Sequence, residues 1–194
     1  MSSEATKKKI TEAGTAIVHA RGFRATGIQE VLDRAGVPKG SFYFYFKNKD
    51  AFGLALVEHF SEFWLGRMDE FLLDEGYSPL VRLARFFGFF HAMFEDMGYR
   101  QGCPIGNMAQ EMADISEEFK DKVGAVMREA QGKMAQCLRE AQEAGEVSSG
   151  LDVDAAAEFL LNAWEGAILR MKAEGGPGPL NNFEHMVFRT ILRA

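Results

Sequence analysis

Residues 28–49 read IQEVLDRAGVPKGSFYFYFKNK and decide the fold of the first quarter of the chain. Their first eight residues place apolar side chains at helical spacing. Gly36 then ends that helix, and Pro38 suits the first turn of the next one. A short, glycine-containing turn between two short helices is typical of a helix-turn-helix. The stretch therefore predicts two short helices that cross steeply, the second ending near Lys49.

The second of these helices has an unusual outer face. At about 100° per residue, setting Phe42 inward brings Tyr45 and Phe46 beside it. The opposite side then carries a glycine, two aromatic rings and a lysine: Gly40, Tyr43, Phe44 and Lys47. A DNA major groove accounts for such rings, because they can contact a thymine methyl, a base edge or a phosphate. The alternative is a helical hairpin whose aromatic rings pack on another helix.

The charge distribution supports a nucleic-acid partner for this end of the chain. The net charge is −6, but residues 1–50 carry nine basic and five acidic residues, a net charge of +4. Lysines beside the aromatic face can neutralise phosphates. Thr26, with Gln29 three residues later, predicts a capping box whose free hydroxyl is available to a phosphate. The predicted DNA-contacting residues are Thr26, Lys39, Gly40, Ser41, Tyr43, Phe44, Tyr45, Lys47 and Lys49.

The rest of the 194 residues reads as further helices, about nine in all, without a strand pattern. The N-terminal residues MSSEATKKKI are too polar for a signal peptide. The longest apolar run, Phe86 to Phe94, is far shorter than the ~20 residues of a membrane span. We therefore predict an all-α, soluble, cytoplasmic protein without a membrane partner.

Residues that would carry catalysis or bind metal are scattered. The four histidines lack a metal-ligand spacing, and the two cysteines exclude an all-cysteine metal site. Phosphate-loop, dinucleotide and nucleophile-elbow motifs are absent. We predict no enzyme activity, no metal and no cofactor. An all-helical enzyme that uses an apolar cavity and a helical adaptor protein remain the alternatives.

Two segments, Gly22 to Thr26 and Ala35 to Lys49, resemble the N-terminal signature of TetR-family transcriptional regulators. The resemblance covers roughly residues 5–55. It implies a three-helix DNA-binding head over residues 1–50 and a body of about six helices over residues 51–194, which binds an effector and forms the dimer. It further implies a homodimeric repressor that binds a palindromic operator in double-stranded DNA. A small apolar, aromatic or electrophilic effector would release it.

The body is rich in methionine and phenylalanine, which line adaptable apolar pockets. The candidate effector-pocket residues are Trp64, Met68, Phe86, Phe90, Phe94, Cys103, Met108, Met112, Met127, Met134 and Trp164. The alternative is that these stripes are ordinary core. The existence of a pocket rests mainly on the family resemblance.

Cys103 precedes Pro104, which suits the first position of a helix. A thiol at that N-cap faces the positive end of the helix dipole, which favours the thiolate. The segment from Gly102 to Asn107 also resembles the branch of the family that includes electrophile- and oxidant-sensing repressors. We predict a sensing thiol, with a small buried residue in a tight loop as the alternative. Cys137 lies on an apolar stripe and is predicted to be core.

The last long helices combine small and large apolar residues, and small residues permit close helix approach. In the family this pair of helices forms a four-helix bundle with its two-fold mate. The candidate dimerisation residues are Ala163, Trp164, Ala167, Ile168, Met171, Phe183, Val187 and Ile191. Packing within one chain is the alternative.

Overall fold

The computed structural model describes residues 3–193, except for the side chain of Ser3. Residues 1, 2 and 194, at the outer ends of the two predicted domains, lie outside it. The described residues form nine α-helices and no strand, as predicted. The helices are α1 (Ser3–Arg21), α2 (Ile28–Ala35), α3 (Phe42–Tyr45), α4 (Lys49–Leu72), α5 (Pro79–Asp96), α6 (Pro104–Met112), α7 (Glu117–Glu143), α8 (Val153–Glu174) and α9 (Gly178–Met186).

Several helices begin where the local sequence requires it. Pro79 and Pro104 are the first residues of α5 and α6, where a missing N–H costs nothing. The Asp152 carboxylate caps α8 by accepting a hydrogen bond from the N–H of Ala155 at 3.1 Å. Near the C-terminus, a short π-helix over Val187–Ile191 continues α9.

Internal contacts divide the chain into two compact units. Unit 1 comprises the described residues up to Phe63 together with Pro104–Gly124, and unit 2 comprises Trp64–Cys103 together with the described residues from Ala125 on. These bounds differ from residues 1–50 and 51–194, because α6 and the start of α7 pack with the N-terminal helices. The functional division at residue 50 stays a prediction.

Unit 1 is built around aromatic rings that fix the helix-turn-helix to α4. Phe42 of α3 is fully buried, and its ring lies 5.4 Å from that of Phe46 and 5.5 Å from that of Phe52. Truncating a buried phenylalanine of this kind to alanine costs about 3–5 kcal/mol. This cluster therefore sets the orientation of α3 and of its outward face.

Unit 2 has its own aromatic core, which joins α5, α8 and α9. The ring of Phe87 lies 4.9 Å from the rings of Trp164 and Phe183, and all three are buried. Nearby, His91 of α5 makes a 2.8 Å contact with the Glu184 carboxylate of α9. Apolar packing thus joins all three helices, and the polar contact adds a link between α5 and α9.

Candidate functional site

The turn between α2 and α3 has the geometry of a helix-turn-helix. Gly36 ends α2 in the left-handed region at φ 64°, which glycine adopts without strain. The N–H of Val37 reaches back to the Leu32 carbonyl at 3.0 Å. The predicted third helix is shorter than expected. A 3₁₀ turn at Lys39–Ser41 leads into the single turn Phe42–Tyr45, and Phe46 is already extended.

The outward face of α3 is confirmed by the structure. The side chains of Tyr43 and Phe44 are 65% and 75% exposed, whereas Phe42 and Phe46 are buried. Lys39, Gly40 and Lys47 are exposed beside them, and Ser41 and Tyr45 are half-buried. A Cβ added at Gly40 would meet no atom within 4 Å, so the backbone there is open to a ligand.

The predicted capping box at Thr26 is wrong. Gly27 is the N-cap residue of α2 and makes no side-chain cap, while Gln29 donates to the Asp33 carboxylate at 2.7 Å. Thr26 is only 2% exposed, and its hydroxyl donates to the Gly22 carbonyl at 2.7 Å. The prediction required a free hydroxyl, but this hydroxyl is already hydrogen-bonded. The carbonyl of the preceding turn satisfies it instead.

Lys49 is less available than the other two lysines beside α3. Its ammonium donates to the Arg24 carbonyl at 3.1 Å and lies 5.0 Å from the centre of the Phe23 ring. The side chain thus braces the turn between α1 and α2. A phosphate contact by Lys49 stays a prediction. Lys39 and Lys47 are exposed, whereas Lys49 is half-buried.

Glu111 of α6 braces the same turn, and the sequence analysis missed it. Its carboxylate accepts hydrogen bonds from the N–H groups of Phe23 at 3.1 Å and Arg24 at 2.8 Å. A Cβ on Gly22 would lie 2.4 Å from Glu111 Oε1, so the turn needs glycine there, at φ 92°. Nothing in the local sequence marks this contact, because 87 residues separate Glu111 from Arg24.

Comparison with known proteins identifies this architecture. Residues 10–56 match the model of bacterial regulatory proteins of the tetR family, and residues 79–187 match that of the tetracyclin repressor-like C-terminal domain. The transcriptional regulator AcuR of Cereibacter sphaeroides is 40% identical over 188 residues, which are 94% of this chain and 86% of AcuR. This chain belongs to the TetR family.

Two further relatives agree with that assignment. The repressor DhaR of Mycobacterium sp. strain GP1 is 33% identical over 186 residues, covering 96% of this chain and 92% of DhaR. The crystal structure of the reduced form of Escherichia coli NemR has a TM-score of 0.85 and 26% identity, covering 98% of both chains. This TetR-family chain is therefore a DNA-binding transcriptional regulator and not an enzyme, which sets aside both the enzyme and the adaptor alternatives.

The candidate pocket residues of this regulator are mostly buried. Met127 and Cys103 are half-buried. The other candidates are buried, in unit 1 for Met108 and Met112 and in unit 2 for Trp64, Met68, Phe86, Phe90, Phe94, Met134 and Trp164. Their burial suits both an apolar core and the lining of a pocket, so their part in effector binding stays a prediction.

Cys103 directly precedes α6, and its side chain has an unexpected partner. The thiol hydrogen-bonds to the carboxyl group of Glu165, in the middle of α8. Burial raises the pKa of Glu165 above its ordinary value, and the Cys103 hydrogen bond lowers it in part. The Oε1 atom of Glu165 is buried and has no hydrogen-bond partner among the described residues. Glu165 was not among the predicted site residues, because nothing in the sequence around it marks a contact 62 positions away in the chain.

Cys137 lies in the core, as its position on an apolar stripe predicts. Its thiol is buried and donates to the Pro79 carbonyl at 3.2 Å. Burial raises the pKa of this thiol to about 12. Because the thiolate is the reactive form, Cys137 is a poor nucleophile at neutral pH.

The candidate dimerisation residues divide into core and surface. The buried group is Trp164, Ala167, Ile168, Met171, Phe183 and Val187. Ala163 and Ile191 are half-buried and line a shallow, largely apolar groove between α8 and α9. Phe159 and Met186, which were not predicted, line the same groove with 49% and 40% of their side chains exposed.

No helix within the described residues is long and apolar enough to cross a bilayer. No group of three or more His, Cys, Asp or Glu side chains within residues 3–193 is arranged to hold a metal ion.

Proposed function

We propose that this protein is a homodimeric, cytoplasmic transcriptional repressor that binds a palindromic operator. The observation that most directly supports this proposal is the exposed pair Tyr43 and Phe44 on α3, which lies between Lys39 and Lys47 in the sequence. An exposed aromatic pair flanked by cations suits a major groove, where the rings contact bases and the lysines contact phosphates. The relatives DhaR and NemR are named repressors, which supports repression rather than activation.

Each dimer presents two such faces to the DNA. A two-fold protein recognises two half-sites about 34 Å apart, one helical turn along the duplex. The operator is therefore a palindrome whose half-sites are read by the residues around Tyr43 and Phe44. Phe44 is apolar, so it discriminates by contact with a thymine methyl rather than by a hydrogen bond.

The test is fluorescence anisotropy on an operator selected from random duplexes. Replacing both Tyr43 and Phe44 with alanine is expected to abolish the preference for the selected duplex over a scrambled one. Ile115→Ala removes another exposed apolar side chain of unit 1 and serves as the matched control, with unchanged binding. Unchanged operator affinity in the double variant would show that α3 is not the recognition element.

We further propose that a small apolar, aromatic or electrophilic molecule releases the operator through unit 2. The buried aromatic and methionine side chains of unit 2 supply the lining that such molecules prefer. Cys103 supplies a nucleophile for the electrophilic class. Coupling between effector and DNA of about 1–3 kcal/mol, a 5- to 150-fold change in affinity, is typical of such linkage.

The thiol can be tested directly. N-Ethylmaleimide treatment is expected to release the operator from the wild type and from Cys137→Ser, but not from Cys103→Ser. The solved structure of NemR is described as a reduced form, which supports running a mild oxidant in parallel. An equal response of wild type and Cys103→Ser would identify the effector as a non-covalent ligand.

A further inference from the structure

Glu165 carries a feature that DNA binding does not explain. It lies in the middle of α8, where all backbone groups are engaged in the helix, and its Oε1 atom is shielded from solvent without a hydrogen-bond partner. A buried, unpartnered carboxyl oxygen costs free energy, and native proteins keep few of them. Such a group needs an explanation, and a chemical role is one of the few available.

The partner of this carboxyl group is a nucleophile. The Cys103 side chain hydrogen-bonds to Glu165, so the thiol proton points at a base. The thiol therefore faces the Glu165 carboxyl group directly.

We propose that Glu165 is the proton acceptor of Cys103, and that together they form a site for activated alkenes, molecules whose C=C bond is conjugated to a carbonyl. This inference rests on the proposed sensing function of Cys103 and names its ligand class and its base. A nucleophile, a base within hydrogen-bond reach and an apolar environment are the parts that such an addition needs.

The addition balances without an oxidant or a second reagent. As the sulfur forms a bond to the β-carbon, the S–H proton moves to the Glu165 carboxylate, and the π electrons of the alkene pass to the carbonyl as an enolate. Glu165 then returns the proton to the α-carbon. The products are a thioether on Cys103 and an unchanged carboxylate, so one proton has moved from sulfur to carbon.

The base gives the reaction a distinctive pH dependence. A general base is most effective when it titrates near the working pH. Burial raises the pKa of Glu165 above its ordinary value, in the direction of neutral pH. The rate of addition then rises as Glu165 ionises and levels off below the titration of an ordinary thiol, near pH 8.5. In a protein without this base, the rate is proportional to the fraction of Cys103 that is thiolate, and it rises about tenfold per pH unit.

The experiment measures alkylation of Cys103 by N-ethylmaleimide in the full-length protein without DNA, by mass spectrometry of its peptide, from pH 5.5 to 8.5. The wild-type rate is expected to level off below the pH at which a free thiol titrates. Glu165→Gln is expected to react at least ~10-fold more slowly at pH 6 and to approach the wild-type rate at pH 8.5. Glu165→Asp, whose carboxylate is one methylene short of the thiol, is expected to follow Glu165→Gln.

Two controls keep the result decisive. Glu158→Gln removes the same charge from an exposed site of α8 and is expected to leave the profile unchanged. Labelling of buried Cys137 reports any loss of folding in a variant. A wild-type rate that rises tenfold per pH unit throughout, or a Glu165→Gln rate above the wild-type rate, would overturn the proposal.

The same protein samples separate this inference from the proposed sensing function. If the pH profiles differ as expected but the alkylated protein still holds its operator, Glu165 is the base and Cys103 is not the sensor. If alkylation releases DNA but the profiles of wild type and Glu165→Gln coincide, the sensing function stands and the role of Glu165 is refuted.

Discussion

Phe44 of α3 and Lys47, two residues beyond the end of α3, are both exposed. Their proposed roles differ, because a ring reads bases and an ammonium contacts phosphate. Phe44→Ala is expected to cost ~1–3 kcal/mol on the operator, mainly by relaxing specificity at one position of each half-site. Lys47→Ala is expected to weaken all duplexes alike and to reduce the slope of log affinity against log salt by about one per head. Anisotropy titrations at several salt concentrations measure both.

The lysine substitution has a matched control. Lys120 is an exposed lysine in unit 1 that pairs only locally with Glu117, at 3.1 Å. Lys120→Ala is expected to leave the salt slope unchanged. A salt slope that also remains unchanged in Lys47→Ala would place the phosphate contacts elsewhere. Lys49→Ala is a poorer test, since this side chain also braces the turn that precedes α2.

Glu165 also predicts how stability changes with pH. Its pKa is raised in the folded chain, so its contribution to stability is fully present below the unfolded value of about 4.5 and is lost as pH rises through the folded pKa. Glutamine has no charge to bury. Glu165→Gln is therefore expected to gain in melting temperature relative to wild type as the pH rises above about 4.5, by ~2–4 °C for each kcal/mol. A difference that is constant with pH would contradict this.

At the scale of helices and turns, the sequence was most informative where the signals are local. The bounds of α2, its glycine end and the two faces of α3 follow from residue spacing, and the structure confirms them. The capping box failed although its pattern was present. The Thr26 hydroxyl donates to the Gly22 carbonyl instead of accepting from an N–H in the first turn of α2, and Gly27 is the N-cap. The sequence alone cannot decide between two such local hydrogen bonds.

The hydrogen bonds that hold the turn between α1 and α2 come from residues far away in the sequence, so the sequence alone does not reveal them. Glu111 accepts two backbone hydrogen bonds, and bonds to a charged acceptor contribute about 1.5–3 kcal/mol each. Glu111→Gln replaces one acceptor oxygen with a donor. We expect faster hydrogen exchange of the Phe23 and Arg24 amides, by ~10-fold or more, and weaker operator binding. NMR exchange and anisotropy measure the two effects.

The control for this prediction lies three residues away. Asp114→Asn removes an equal charge from an exposed position of unit 1 and is expected to change neither exchange nor affinity. If Glu111→Gln exchanges its Phe23 and Arg24 amides at the wild-type rate, the carboxylate does not hold the turn in solution. If exchange rises but affinity does not change, the turn does not position α2 and α3 for DNA.

At the scale of the whole molecule, the charge asymmetry has a direct use. Residues 1–50 are net positive, whereas the remainder carries 13 basic and 23 acidic residues. DNA attracts the first part and repels the second, which steers approach toward the helix-turn-helix. The sequence disclosed this asymmetry and the family. It could not disclose which carboxylates gain hydrogen-bond partners, because Glu111 and Glu165 acquire theirs only when distant segments meet.

The proposed dimer would determine how the two proposed operator half-sites cooperate. Trp164 and Met171 are buried within a single chain, so the proposed interface rests on half-buried Ala163 and on the exposed rim residues Phe159 and Met186. A second copy would cover this apolar groove. Ala163→Arg is expected to give monomers, because an unpaired charge would enter a packed interface. Light scattering at about 10 µM measures the mass.

A monomeric variant would then distinguish the affinity of one DNA-binding head from the gain that comes from joining two heads. In a dimer, binding of the first head makes binding of the second intramolecular, which raises affinity 10²- to 10⁴-fold over one head. Ala163→Arg is therefore expected to bind a palindrome and a single half-site equally, while the wild type prefers the palindrome. Ala144→Arg, the same change at an exposed site of unit 2, should behave as wild type. A wild type that is monomeric, or that shows no preference for the palindrome, would refute the two-headed model.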